Sequence, residues 1–235
     1  MKDDLAPLAE AVARGRAVAI NIRKAIRYLL ATNLSEIIVM LGATAAGGAQ
    51  PLSPIQLLWI NLVTDILPAL GLATDAPDAE LMTQPPRDTS QPIVSSADFT
   101  ALLRDAGLMA ASAFIAQMCT RGSPSREQTV RFASLVAAQL FYAFACRSPR
   151  GSASTDPLPP NPLFSGALAT SFAAQAAALW LPGFRSLFGP RLGITEFGIS
   201  LAAGTVPLVA TDVLRKLRSP DRGSDDPPRN QVLRK

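Results

Sequence analysis

Between Glu36 and Asp65 the chain runs for 28 residues without a charged side chain, and Gly47-Gly48-Ala49-Gln50-Pro51 interrupts that run in the middle. One helix crossing the hydrocarbon of a bilayer needs about 20 apolar residues. The glycines and proline therefore predict two spanning helices joined by a tight hairpin, each carrying one carboxylate into the apolar slab. A chain built this way has few choices, because backbone polar groups inside lipid must be satisfied within the protein.

The rest of the sequence follows the same pattern. Six apolar segments are predicted, at about 25–46, 53–74, 101–119, 130–146, 162–182 and 194–213. The fifth lies in the uncharged run Pro157–Phe184 and spans easily. The third, fourth and sixth hold 15 uncharged residues between charges, so Arg104, Arg131 and Arg215 are expected to snorkel toward the interface. Charged residues make up 17% of the chain, against about 25% in soluble domains. The fold class is therefore all-α, a polytopic six-helix membrane bundle. The expected organisation is a cytoplasmic segment over 1–24 leading into the first helix, the six-helix domain over 25–214, and a disordered cytoplasmic tail over 215–235. Asp75–Gln91, with Pro77, Pro85 and Pro86, reads as an irregular cytoplasmic connector.

Met1-Lys2-Asp3-Asp4 does not open a signal peptide, since no apolar run follows within the first 24 residues. With both termini placed inside, seventeen of the 22 Lys and Arg fall on the cytoplasmic side and five on the other. The net charge of +4 flanks apolar runs and forms no aromatic-interleaved patch, which points to membrane lipid and away from nucleic acid. The absence of histidine excludes a His-based triad and a His-ligated metal site. Cys119 and Cys146, 27 residues apart, read as free thiols.

Two polar clusters interrupt the first two segments. Asn33 and Glu36 are three apart, and Asn61, Thr64 and Asp65 fall at i, i+3 and i+4, each set on one face of an α-helix. Pro68 follows one turn later and releases a backbone carbonyl, a ready oxygen ligand. Each carboxylate in hydrocarbon costs about 2.5–3.5 kcal/mol on insertion scales. Two carboxylates with amide, hydroxyl and carbonyl oxygens suit a hard cation. Interhelical hydrogen bonding, a proton relay, or pairing of the carboxylates with Arg27 or another arginine are the alternatives from spacing alone.

The strings Gly15-Arg16 … Asn21-Ile22-Arg23-Lys24 … Tyr28-Leu29-Leu30 … Asn33 … Glu36 and Gln56-Leu57-Leu58-Trp59-Ile60-Asn61-Leu62-Val63-Thr64-Asp65 … Leu67-Pro68-Ala69-Leu70 resemble the fifth and sixth transmembrane helices of P-type cation-transporting ATPases. Asp75-Ala76-Pro77 … Met82 … Pro86-Arg87 resembles the loop after them. The likeness is strong over about residues 1–95. It continues through Gln139-Leu140-Phe141 … Arg147-Ser148 and Asn161-Pro162-Leu163-Phe164, so the whole chain resembles the last six helices of a type II pump.

The resemblance implies that Asn33, Glu36, Asn61, Thr64 and Asp65 supply ion-ligating oxygens, with Ca²⁺ as a candidate transported ion. Gln139 falls where some pumps carry a ligating Glu, and its amide is a weaker, neutral ligand that departs from a full two-calcium arrangement. The phosphorylation motif Asp-Lys-Thr-Gly-Thr, the actuator Thr-Gly-Glu, the Gly-Asp-Gly hinge motif and the Pro-Glu-Gly-Leu of the fourth helix are not in this sequence. No catalytic residue and no cofactor is therefore expected in this chain, and no ATP hydrolysis by it alone. ATP and Mg²⁺ would be used by the full-length family, whose N-terminal half is the expected partner. The alternatives are an ATP-independent channel or carrier, a membrane protein that docks on pumps, and an inert truncated remnant. A bacterial plasma membrane is the expected location.

Overall fold

A computed structural model describes residues 6–47, 51–75, 95–120, 122–147 and 160–218. The connector beyond Asp75 and the tail beyond Arg218 lie outside the described residues, as does the Arg215 side chain. The elements are α1 (Ala6–Ala45), α2 (Pro54–Ile60), a π-helical stretch (Asn61–Ile66), α3 (Leu67–Ala73), α4 (Ser96–Met118), α5 (Pro124–Arg147), α6 (Pro162–Trp180), α7 (Arg185–Phe188) and α8 (Ile194–Arg218). Among the described residues every regular element is helical. Six helices among the described residues are long and apolar enough to cross a membrane, α2, the π stretch and α3 together making one of them.

Each boundary has a local cause. Helix α1 ends at Ala45, and Gly47 adopts φ +66°, a conformation that a side chain would strain, so the chain can turn there. Ser53 then caps α2 in a reciprocal box with Gln56, with Pro54 in the first turn. Ser95 and Asp98 form the same box at the start of α4. Asn161 caps α6, its side-chain oxygen accepting from Phe164 N, and Pro162 follows. Six spans are thus present among the described residues, while residues 48–50 of the predicted hairpin turn lie outside them. The first helix begins at Ala6, so residues 6–24 continue the same rod.

Helix α5 is the centre of the bundle, buried along nearly its whole length and packed on α1, α3, α4, α6 and α8. Its closest neighbour is α8, where Gly204 lies so near α5 that a Cβ would come within 2.7 Å of Ala137 Cβ. Gly71 of α3 does the same against α6, at 2.8 Å from Phe164 Cα. Small residues let backbones approach, and in lipid that close packing replaces the hydrophobic drive between helices.

Burial of α5 also corrects an expectation. Arg131 does not reach toward the interface; it is fully buried between α4 and α5, donating to Gln117 Oε1 and lying 5.6 Å above the Phe114 ring. A neighbouring helix that supplies an amide acceptor and a ring face holds the guanidinium inside the protein. Arg104 pairs with Asp105 at 2.6 Å.

The end of the bundle that holds the C-terminus of α5 is fastened by one carboxylate. Asp75 accepts from Lys24 Nζ at 3.0 Å, Arg147 Nη2 at 2.9 Å and Asn161 Nδ2 at 3.2 Å, while Asn21 Nδ2 donates to its carbonyl at 2.7 Å. Helices α1, α5 and α6 thereby meet at the end of α3. Burial would push the Asp75 carboxyl up, but the hydrogen bonds from Arg147 and Lys24 outweigh it and hold the group below the usual carboxylate range. A lowered native pKa stabilises the fold above the ordinary carboxylate value, and the gain disappears as pH falls through the native value. Asp75→Asn should cost about 3 kcal/mol at neutral pH, because Lys24 and Arg147 lose the carboxylate they share. Thermal unfolding in detergent from pH 7 to pH 3 should show a smaller acid-dependent loss in Asp75→Asn than in the parent.

Candidate functional site

The functional geometry begins with a fault in the second span. Asn61–Ile66 is wound with i→i+5 bonds, and Pro68, lacking an N–H, cannot serve the carbonyl of Thr64. The two carbonyls at this place are taken by hydroxyls from other helices. Tyr28 of α1 donates to Thr64 O at 2.8 Å, and Ser171 of α6 donates to Val63 O at 2.7 Å. The released carbonyl expected as an open ligand is therefore already an acceptor within the protein.

Asp65 follows in the same π stretch. Its Oδ2 accepts from Asn33 Nδ2 at 3.1 Å, and its Oδ1 accepts from the hydroxyls of Thr32 at 3.3 Å and Thr64 at 3.4 Å. One turn along α1, Glu36 accepts from Gln139 Nε2 at 3.2 Å. The same Gln139 amide also donates to Ser35 Oγ and Thr32 O, both at 3.2 Å. Asn33, Glu36, Thr64, Asp65 and Gln139 are thus joined in one polar seam where α1, the π stretch and α5 meet.

Asn61 joins less directly. The π winding breaks the α-helical stacking that places Asn61, Thr64 and Asp65 on one face, and the Asn61 amide shares no hydrogen bond with the other two side chains. Its Oδ1 is buried without a partner. Gln139 Oε1 is in the same condition. Both are amide oxygens, and a buried acceptor left unpaired costs about 1–3 kcal/mol.

Arg27 pairs with Asp105 at 3.3 Å rather than with Glu36 or Asp65. Among the described residues no Lys or Arg forms a salt bridge with either acid. The donors around them are all neutral. Among the described residues, no three His, Cys, Asp or Glu converge, so the site is two carboxylates supplemented by neutral oxygens. Neither cysteine forms a disulfide among the described residues; Cys146 is buried and Cys119 exposed.

Three further residues belong to the seam: Tyr28, Thr32 and Ser35. They repeat at i, i+4 and i+7, the spacing of one helical face, which is the signal in the sequence that could have found them.

The family described as "Cation transporting ATPase, C-terminus" matches residues 49–217. The chain belongs to this family. It is the C-terminal membrane region of a P-type ATPase and an integral membrane protein. It is similar to a calcium-transporting ATPase of Bacillus subtilis, 35% identical over 190 residues that make up 79% of this chain and 21% of that protein. A probable cation-transporting ATPase F of Mycobacterium tuberculosis is 34% identical over 218 residues, 90% of this chain and 24% of that protein. Calcium-transporting ATPase 1 of Saccharomyces cerevisiae is 28% identical over 229 residues, 95% of this chain and 24% of that protein. The chain spans between a fifth and a quarter of the length of these pumps.

The fault in the ladder depends on donors from two other helices. Ser171→Ala removes the donor for Val63 O and should destabilise the chain by about 1 kcal/mol, the scale of interhelical hydrogen bonds in membranes. Unfolding in detergent should register that loss with the helix content of the folded chain unchanged.

Proposed function

We propose that this chain supplies the cation-coordinating part of a pump's membrane domain. Glu36 and Asp65 act as charged ligands, and Asn33, Asn61, Thr64 and Gln139 as neutral oxygens. The supporting observation is the pair of buried, unpartnered amide oxygens, Asn61 Oδ1 and Gln139 Oε1, in a region whose two carboxylates have no cationic partner. A hard cation would give all four residues a common partner. Its charge would also compensate the carboxylates, which local neutral donors cannot do.

The ion favoured is Ca²⁺. An all-oxygen donor set with two carboxylates matches its preference for many oxygen ligands in flexible geometry. Relatives of this chain carry the name calcium-transporting ATPase. Gln139 in place of an acid keeps the formal charge at two carboxylates, which balances one divalent ion. ATP hydrolysis, with its Mg²⁺, belongs to the phosphorylation, nucleotide and actuator domains of the pump's other half, the partner on which this region acts. The Lys and Arg distribution supports a cytoplasmic side for both termini, and a bacterial plasma membrane is the location proposed.

Purified chain in detergent, titrated calorimetrically with Ca²⁺, Na⁺ and K⁺, tests this reading. The wild type should bind Ca²⁺, and Glu36→Gln with Asp65→Asn should abolish binding while circular dichroism stays unchanged. Undiminished binding in the double variant, or none in a folded wild type, contradicts the assignment.

A further inference from the structure

Beneath the seam lies a second buried network that the proposed ion ligands do not use. Asp105 of α4 is fully buried. It accepts from Arg104 at 2.6 Å, from Arg27 of α1 at 3.3 Å and from the Tyr142 hydroxyl of α5 at 2.8 Å. The Tyr142 ring stacks on Tyr28, with centroids 6.4 Å apart and planes inclined by 18°. Both rings are fully buried, and they are the two tyrosines of the chain. Tyr28 in turn holds the Thr64 carbonyl, one residue before Asp65.

From this geometry we infer that Tyr142, anchored by Asp105, is a positioning residue for cation binding: it fixes the Tyr28 ring and so the π-helical backbone that carries Thr64 and Asp65. The inference rests on the proposed cation site. A phenol tied at its hydroxyl cannot swing or slide along the helix axis, and a ring stacked on it inherits that restraint. The Tyr28 hydroxyl must stay within hydrogen-bond reach of a carbonyl that Pro68 has left without its helical donor. Helices α4 and α5 thereby set the position of a ligand segment on the second span, although among the described residues Asp105 and Tyr142 make no hydrogen bond to the proposed ligands.

Tyr142→Phe tests this while keeping the ring, the stack and both arginine contacts to Asp105. Ca²⁺ binding to the purified chain should weaken about three- to tenfold, the effect of one buried hydrogen bond. Tyr28→Phe should weaken it at least as much, and the double variant should bind no more weakly than Tyr28→Phe alone, because Tyr142 acts through Tyr28. A merely structural Tyr142 would leave affinity unchanged or give losses that multiply, and either result overturns the inference. A second readout does not use the ion. With ¹³Cζ-labelled tyrosine, the Tyr28 resonance should move in Tyr142→Phe, since the retained ring preserves the ring current and the shift reports the hydroxyl's hydrogen bond. An unmoved Tyr28 resonance overturns the inference. A folded wild type that bound no cation would sink the site reading and this role with it. A binding wild type with an indifferent Tyr142→Phe would sink the positioning role alone.

Discussion

Inside a bilayer no water is present to satisfy a backbone carbonyl, and the second span has a proline where one carbonyl needs its donor. Much of the central structure answers that need. Tyr28 reaches from α1 to Thr64 O, and Ser171 reaches from α6 to Val63 O. These two bonds tie three spans together at the level where the π winding occurs. They also fix Asp65, which lies next to Thr64 and accepts from Asn33 and Thr32 on α1. A regular α-helix without the proline would satisfy both carbonyls internally and need neither hydroxyl.

The charges are divided by depth. Toward one end, Asp75 is held by Lys24 and Arg147 where α3 and α5 end, and Asp105 within α4 is held by Arg27 and Arg104. At the other end Arg126 of α5 meets Glu196 of α8 at 2.8 Å. Between the ends, Glu36 and Asp65 have amides and hydroxyls only. Neutral donors orient a carboxylate without supplying a countercharge, which is the part given to the proposed cation.

Much of this was legible in the sequence, and what was hidden has a physical reason. The hairpin at Gly47 follows from composition alone, and Ser53/Gln56 and Ser95/Asp98 show the spacing of capping boxes. Asn33, Glu36, Thr64 and Asp65 could be paired from their positions in two adjacent apolar segments. The π winding could not, because helical spacing presumes an i→i+4 ladder. Thr32 and Ser35 look like ordinary small polar residues until Asp65 and Gln139 are brought against them. Arg131 shows the same limit: a charge near a segment end suggests the interface, and only the neighbouring Gln117 and Phe114 reveal an internal berth.

The central claim is that the two lone amide oxygens and two uncompensated carboxylates form one cation site. A high-resolution structure of the chain with Ca²⁺ tests it most directly. The account predicts one ion at about 2.3–2.6 Å from oxygens of Glu36, Asp65, Asn61 and Gln139. An ion bound elsewhere, or density at the seam that leaves Asn61 Oδ1 and Gln139 Oε1 without contact, would contradict it.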